Sequence, residues 1–187
     1  MIRLLLWVLG GLMLGGIVHL ATVLMLPKMA TQDAYARLAP IVPVNAVRPL
    51  ASPSPDNAIM PFMDPAFAFA ACRYDLSDGP LKFSVPVSPA YTSVSFYTRN
   101  NVSYYAINDR AAGRRVIELD LMTQAQHDEI PEDEEITAAD RLIVESPTLT
   151  GLIAIRAMAP EPGLMPAAQS AVAAARCTRE TEPARGR

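Results

Sequence analysis

The sequence predicts a mainly β protein, an antiparallel β-sandwich or partly open barrel, with an N-terminal transmembrane helix and a C-terminal helix. Three observations lead to this fold class. Residues 4–26 form an apolar run without a formal charge. From Ala66 onward, short segments alternate apolar and polar residues with the period of two that is typical of strands. Residues 166–177 are rich in alanine and begin with proline, which favours a helix.

The apolar run LLLWVLGGLMLGGIVHLATVLML is long enough to be a membrane anchor. As an α-helix it would rise about 34 Å, enough to cross a hydrocarbon core of roughly 30 Å. A cleaved signal peptide is the alternative. Its apolar region is usually only about 7–15 residues long and ends in an A-x-A-like site. The exit LPKMA provides no such site. We therefore expect residues 1–27 to be an uncleaved signal-anchor helix.

One face of this helix carries Gly11, Gly15 and His19 at intervals of four residues. Small residues at this spacing let two membrane helices approach closely, and a histidine within lipid usually faces protein or water. We predict that this face packs against a second helix. The alternative is that the glycines are simply common in membrane spans and that His19 is a neutral side chain near the interface.

The net charge of −3 and the pI near 5.4 argue against a nucleic-acid partner, which would normally require a basic surface. Residues 28–187 suit one domain and leave little room for two. No further stretch is long enough to span a membrane. The anchor is therefore the expected contact with the membrane.

Cys72 and Cys177 are the two cysteines, and they lack the C-x-x-C spacing of redox and zinc sites. We predict a disulfide between them, because exported domains form such bonds. Two buried thiols in a cytosolic domain are the alternative. The prediction of a disulfide and the prediction of an exported domain are consistent with each other. Together they favour a cytoplasmic N-terminus and an exported C-terminal domain.

After the anchor, a short helix is predicted at residues 31–38, and seven prolines follow it up to residue 65. Proline favours extended backbone over helix. We expect a short helix and proline-rich tether at residues 28–65. The exported β-rich domain with its C-terminal helix follows at residues 66–177, and residues 178–187 form a disordered tail.

Seven strands are predicted in the β-rich domain, at residues 66–76, 81–87, 93–99, 102–108, 116–121, 141–145 and 152–158. Asp78-Gly79-Pro80 is expected to turn the chain between the first two. Asn100-Asn101 favours a hairpin between the third and fourth, because asparagine tolerates left-handed backbone conformations. Between the fifth and sixth strands, residues 123–140 are polar and predict a helical turn and an exposed acidic loop.

The sequence carries no catalytic signature. His127 is the one histidine outside the anchor, and both the G-x-S-x-G elbow and the phosphate-binding glycine loop are missing. The acidic residues that follow His127 lack the D-x-D-x-D-G pattern of calcium loops and are expected to form a solvated surface. We therefore predict no catalytic residue, no metal ion and no cofactor.

Tyrosine and arginine, which are enriched in recognition surfaces, occur repeatedly in and beside the predicted strands. Tyr97 and Arg99 share a face on the alternating pattern. The candidate binding residues are Arg73, Tyr74, Tyr97, Arg99, Tyr105, Asp109 and Arg110. Ordinary tyrosines at a sheet edge and a turn held by Asp109 and Arg110 are one alternative. An enzyme pocket built from Arg73, Asp109 and Arg110 is another.

The chain also resembles a bacterial family, domain-of-unknown-function family 1254. The resemblance is carried by MPFMDPAFAFAACRYDLSDGP, SVSFYTRNNVSYYAINDRAAG, LIVESPTLTGLIAIRAMAP and AAARC, and it covers most of the chain. It implies a short, membrane-anchored envelope protein of the α-proteobacterial type with an exported β-rich domain, and it carries over no catalytic residue. Relatives often lie beside, or are fused to, a second β-domain family, 1214. The resemblance thus implies a separate partner chain of that family, with a homo-oligomer as the alternative.

These expectations combine into one hypothesis about function. We expect a single-pass protein of the bacterial inner membrane whose C-terminal domain lies in the periplasm. There it acts as a binding or envelope-maintenance module, together with a partner protein, rather than as an enzyme.

Overall fold

A computed structural model describes residues 1–29, 33–54, 58–130 and 142–179 of the chain. The chain divides into two units, Met1–Asp33 and Ala34–Arg187. The first contains helix α1, Ile2–Met29. Its segment Ile2–Leu26 has a mean hydropathy of 2.1, and in the described part of the chain it is the one helix long and apolar enough to cross a membrane. Length and composition fit a membrane anchor and a signal sequence alike.

The second unit is built from two β-sheets. Its described strands are β1 (Val47–Pro49), β2 (Phe67–Asp75), β3 (Leu81–Pro86), β4 (Tyr91–Thr98), β5 (Ser103–Asn108), β6 (Val116–Thr123), β7 (Leu142–Ser146), β8 (Thr150–Met158) and β9 (Arg176–Arg179). Sheet A has the strand order β1-β2-β8-β4-β5, and sheet B has the order β7-β6-β3-β9. The predicted mainly β fold with an N-terminal apolar helix and a short C-terminal helix is confirmed.

Among the described strands, every pair is antiparallel except β6 and β7, which are parallel. This pair differs from the fully antiparallel arrangement that the sequence predicted. A parallel pair requires a crossover of a dozen or more residues, and residues 124–141 are long enough to provide it.

The core lies between the two sheets because successive side chains of a strand point to opposite faces. On β3, the buried side chains of Leu81, Phe83 and Val85 alternate with the half-buried Lys82 and Ser84. On β2, β4 and β8 the inward positions carry alanine, phenylalanine and isoleucine side chains that join the same core. Burial of these apolar groups is the main force that holds the sheets together.

Two predicted turns are present, and each uses a left-handed residue. Gly79 has a φ of 126° between β2 and β3, and Asn101 has a φ of 61° between β4 and β5. The first turn is held to the end of β9 by an ion pair of 2.8 Å between Arg179 and Asp78. Hydrogen bonds from Ser77, together with the charge of Arg179, hold the pKa of Asp75 below its ordinary value.

The described helices of the second unit are α2 (Ala34–Leu38), α3 (Asp109–Ala112), α4 (Gln124–Asp128) and α5 (Met165–Ala173), with a 3₁₀ turn at Pro162–Leu164. Helix α4 begins with a capping box, in which Thr123 and Gln126 each satisfy a backbone N–H of the other. The amide of Gln126 also donates to the carbonyl O of Leu76 at 2.7 Å. This bond holds α4 against the end of β2.

The C-terminal helix is shorter than the sequence predicted. It ends at Ala173 instead of Cys177, and the chain continues into β9. In β9, Cys177 pairs with Phe83 of β3 and is bonded to Cys72. These contacts stabilise a strand where the alanine-rich sequence alone would favour another helical turn.

Part of the predicted tether packs on sheet A. Leu38 and Val42 are fully buried, and β1 pairs with β2. The side-chain amide of Asn45 donates to the carbonyl O of Asp75 at 3.0 Å and accepts from its N–H at 2.8 Å. These bonds hold the segment before β1 beside the end of β2. The prolines of this stretch indicate extended backbone but give no signal for where that backbone docks.

The predicted disulfide between Cys72 and Cys177 is present. Both residues are buried in the core, where the bond joins β2 of sheet A to β9 of sheet B. It closes a loop with a sequence separation of 105. Because disulfides persist in oxidising compartments, its presence favours a location outside the cytosol.

We expect the double variant Cys72→Ala/Cys177→Ala to lose up to about 4–5 kcal/mol of unfolding free energy, because a cross-link over about 100 residues restricts the unfolded chain. Urea unfolding of the full chain, followed by circular dichroism, measures this loss. A reductant should lower the stability of the wild-type protein to that of the variant and leave the variant unchanged. Equal stability of the two proteins under oxidising conditions would contradict the prediction.

Candidate functional site

The outer face of sheet A, which points away from sheet B, collects several of the predicted recognition residues. The strand register places Arg73 of β2 opposite Leu152 of β8, and Leu152 opposite Tyr97 of β4. Tyr35 of α2 packs on the same face, against a cluster of buried apolar residues that includes Leu152. A row of side chains therefore crosses three strands and continues onto α2.

Tyr35 lies close to two arginines. The guanidinium carbon of Arg73 is 5.2 Å from the centroid of its ring, and that of Arg99 is 4.1 Å away. We call Tyr35, Arg73, Tyr97 and Arg99 the aromatic–arginine patch. Cation–π contacts of this kind are worth about 0.5–2 kcal/mol, depending on exposure. Tyrosine and arginine are also the side chains that most often dominate binding energy at protein interfaces.

Sequence reasoning found three members of this patch and missed Tyr35. It is the one aromatic residue of the polar stretch TQDAYARL. That stretch has no apolar period strong enough to show which side of the short helix faces the sheet. The patch forms because Leu38, one turn later, is fully buried and fixes the orientation of α2.

A groove of about 530 Å³ lies beside the patch on the same face of sheet A. Its walls are mostly apolar and include side chains of Leu38, Leu50, Met60, Phe67, Phe69 and Leu152. Ala71 and Ala154, which are opposite each other in β2 and β8, also line it. Because alanine side chains are short, the sheet surface is low at this point. The groove volume is within the usual range for ligand pockets, about 300–1,000 Å³.

The loop at one side of the groove carries an exposed aromatic residue. Phe62 has a φ of 61°, a left-handed conformation that is rare for a bulky residue, and its side chain is fully exposed. Met60 and Met63 flank it and are half-buried. The loop thus combines an apolar lining with an exposed apolar tip.

Arg156 of β8 is one of the few charged groups of the groove. Its Nη2 donates to Ser95 Oγ at 3.1 Å, and its Nε is buried without a hydrogen-bond partner. Within the described residues, the other buried side-chain nitrogen without a partner is the Nε of Arg73. A buried donor that lacks an acceptor is costly, so each such atom requires an explanation. Both belong to the outer face of sheet A.

Tyr74 points into the core. Its hydroxyl is 2.9 Å from Ser146 Oγ, accepts a hydrogen bond from the Tyr104 hydroxyl at 3.1 Å and donates to the carbonyl O of Tyr97 at 3.3 Å. Burial raises the pKa of Tyr104 well above its ordinary value, because the charged phenolate would lose its hydration. This hydroxyl network joins the two sheets through their polar interior atoms.

Tyr105 faces the core on the same side of β5 as Ile107, and Tyr104 faces the core as well because the register shifts by one residue between Phe96 and Tyr97. Such a bulge places two residues opposite one. The rings of Tyr104 and Tyr105 consequently both approach Phe96, with centroid distances of 6.2 Å and 5.8 Å. Strict alternation along β5 would not predict this arrangement.

Asp109 and Arg110 begin α3 at the end of β5, and Asn108 caps that helix. Asp109 Oδ1 accepts from the N–H of Thr92 at 3.4 Å, and Arg110 is exposed. Strands β8 and β4 separate β5 from β2, a distance of about 14 Å at the usual strand spacing. The structure therefore does not bring Arg73 together with Asp109 and Arg110, and the enzyme pocket proposed from these three residues has no geometric support.

The remaining candidates lie elsewhere. His127 Nδ1 is 2.8 Å from Glu145 Oε1, and both side chains are partly exposed. In the part of the chain that the structure describes, no group of three His, Cys, Asp or Glu side chains could hold a metal ion. Much of the acidic loop, residues 131–141, lies outside the described residues. Gly11, Gly15 and His19 are exposed in α1, and their packing against a second helix stays a prediction.

Comparison with known proteins identifies a family and a fold. A family model described as "Protein of unknown function (DUF1254)" matches residues 44–179. No curated protein matches the chain. The crystal structure of the VPA0106 protein from Vibrio parahaemolyticus is similar over 86% of this chain and 38% of that chain, with 14% sequence identity and a TM-score of 0.60. This similarity shows the fold alone.

An uncharacterized protein from Burkholderia cenocepacia is 18% identical over 68% of this chain and 34% of its own, with a TM-score of 0.47. The chain spans little more than a third of the length of either solved protein.

Gly151 provides a test of the hydroxyl network. A Cβ atom at this position would overlap the carbonyl O of Tyr97 and the hydroxyl of Tyr74. We expect Gly151→Ala to lower the unfolding free energy by about 1–3 kcal/mol, as other overpacked substitutions do. Gly163→Ala is the matched control, because a Cβ there meets no atom within 4 Å. Urea unfolding of both variants should separate them, and equal losses would show that the space above Gly151 is not restricted.

Proposed function

Because this chain belongs to the DUF1254 family, a family of unknown function, we propose its role from its architecture: it is a membrane-anchored binding protein rather than an enzyme. It is a single-pass protein of the bacterial inner membrane. Its β-domain lies in the periplasm and binds a partner protein through the outer face of sheet A. The observation that carries this proposal is the aromatic–arginine patch formed by Tyr35, Arg73, Tyr97 and Arg99.

Two features support the proposed compartment. The apolar helix α1 has the length and composition of a membrane span. The disulfide between Cys72 and Cys177 joins the two sheets, and such bonds are rare in the cytosol. A cytoplasmic N-terminus followed by an exported domain accounts for both features at once.

The chemistry of the patch supports a protein partner. Arg99 is exposed and lies over the ring of Tyr35, so that its guanidinium is oriented before binding. An oriented side chain loses less conformational entropy when a partner binds. Arg73 and Arg99 together place two positive charges around the ring of Tyr35. An acidic surface of a partner protein complements this charge.

VPA0106 contains this fold within a longer chain, of which the matched part is 38%. We propose that the partner of this chain is a second protein, of the companion 1214 family that the resemblance of the sequence implies. A second copy of this chain is the alternative occupant.

The compartment is tested with reporters fused to the C-terminus. We expect a phosphatase that is active only in the periplasm to show activity and a cytoplasm-specific fluorescent reporter to show none, because the domain is exported. Mass spectrometry of the purified protein should recover residues 4–26. Activity of the cytoplasmic reporter alone would place the domain on the other side, and loss of residues 4–26 would make α1 a cleaved signal sequence.

The partner is tested by crosslinking in cells, extraction with detergent and identification of the attached chain. Charge reversal in Arg99→Glu should reduce the crosslinked complex about ten-fold or more, since central arginines at interfaces often contribute 2 kcal/mol or more. Arg176→Glu, an exposed position of sheet B, is the matched control and should leave the complex unchanged.

A lone chain after crosslinking would contradict the partner proposal. Crosslinks to a second copy alone would assign the patch to a homo-oligomer. An equal effect of the two substitutions would show that the complex does not use the patch.

A further inference from the structure

We propose that the groove on the outer face of sheet A binds a long-chain fatty acid, with its carboxylate at Arg156 and its acyl chain along the apolar walls. This inference goes beyond the proposed function. It rests on the groove and on Arg156, whereas the partner proposal rests on the aromatic–arginine patch.

The walls and volume of the groove fit a single acyl chain. Leu38, Leu50, Met60, Phe67 and Phe69 line it, and the volume is about 530 Å³. Each methylene group that such walls remove from water strengthens binding about four-fold. Because the two alanines leave the sheet surface low, a flexible chain can lie across the strands.

The charge of Arg156 selects an anionic head group. Arg156 lines the groove, and its Nη2 is held by Ser95 Oγ at 3.1 Å. This bond fixes the position of the guanidinium at one end of the groove before a ligand binds. A carboxylate would pair with the part of the guanidinium that faces the groove, and hydrogen bonds between charged groups are about twice as strong as neutral ones.

Asp64 is the acidic side chain that lines the groove in the described part of the chain. Its Oδ1 accepts a hydrogen bond from the N–H of Ala66 at 2.9 Å, which holds the carboxylate at the start of β2.

Other occupants fit less well. An extended peptide would bury backbone N–H and C=O groups against walls that offer few hydrogen-bond partners, which is costly. An uncharged lipid would gain nothing from the charge of Arg156, which lines the groove. A fatty acid matches both the apolar walls and this charge with one chain and one carboxylate.

The test uses the full chain in lipid nanodiscs and a fatty acid that carries a photoreactive diazirine in its acyl chain. After illumination, mass spectrometry locates the labelled residues. We expect label in two places, on the groove residues 59–71 and 152–156 and on α1, which contacts any acyl chain dissolved in the bilayer. Label on α1 thus serves as an internal control.

Two variants and one competition separate the groove from the bilayer. Arg156→Gln should reduce label in the groove about ten-fold or more, because it removes the charged partner of the carboxylate, and should leave label on α1 unchanged. Ala154→Leu should do the same by filling the floor. Unlabelled palmitate should displace the groove label, and hexadecanol, which has an equally long chain without the charge, should displace it at least ten-fold less well.

Arg176→Gln on sheet B is the matched control and should leave both labels unchanged. Thermal unfolding of each variant checks that it is folded. If Arg156→Gln does not fold, Ala154→Leu and the competition on the wild-type protein still decide the question. Absence of label in the groove, or equal displacement by palmitate and hexadecanol, would overturn the proposal. Loss of the partner crosslink with groove label retained would affect the proposed function alone.

Discussion

The alternation of side chains along β2 connects the stability of the domain to its outer face. Cys72 and Tyr74 point inward, where they form the disulfide and the hydroxyl network that join sheet A to sheet B. Ala71 and Arg73 point outward, where Ala71 lines the groove and Arg73 contacts Tyr35. Because the period of a strand is two, a slip of one residue would exchange these sets and lose core and surface together. The core contacts therefore also fix the position of the outer residues.

The interior between the two sheets contains hydroxyl groups that need hydrogen-bond partners. Tyr74, Ser146 and Thr148 place hydroxyl groups in the interior, and a buried hydroxyl without a partner is costly. The structure satisfies these groups by joining them, with the Tyr97 carbonyl as a further acceptor. Gly151 makes this possible, because a side chain there would occupy the space of the Tyr74 hydroxyl. A single residue without a Cβ thus lets polar atoms of three strands meet.

How much of this could be predicted from the sequence depends on the range of the interactions. Local alternation predicts strands β2 to β8, apart from the bulge in β5, and the turns at Gly79 and Asn101 follow local backbone preference. The short strands β1 and β9 exist because of distant partners: β1 pairs with β2, and Cys177 is held by Cys72. Local alternation of side chains does not show such partners. The sequence therefore predicts a tether where β1 forms, and a last helical turn where β9 begins.

The same distinction applies to the candidate site. Arg73, Tyr97 and Arg99 could be predicted as members of a recognition surface because their residue types and strand positions are visible in the sequence. Tyr35 could not be predicted, because it reaches the sheet through a short helix. Arg156 could not be predicted either, because only its buried nitrogen without a partner distinguishes it from other arginines. The positions of Asp109 and Arg110 depend on strand order, which places β8 and β4 between them and Arg73.

The groove and the aromatic–arginine patch share a wall, and this links the two proposals physically. Tyr97 and Leu152 line the groove and also lie in the row of side chains that includes Arg73. A ligand that packs against Leu152 therefore contacts a side chain that lies next to the aromatic–arginine patch, the surface that a partner protein would cover. If ligand binding in the groove changes the affinity for the partner protein, partner binding must change the affinity for the ligand by the same factor, because the two affinities are linked equilibrium free energies. Whether the ligand strengthens or weakens partner binding depends on the ring of Tyr97. A ligand that fixes this ring in the orientation used for the partner lowers the entropy cost of partner binding. A ligand that displaces the ring raises that cost.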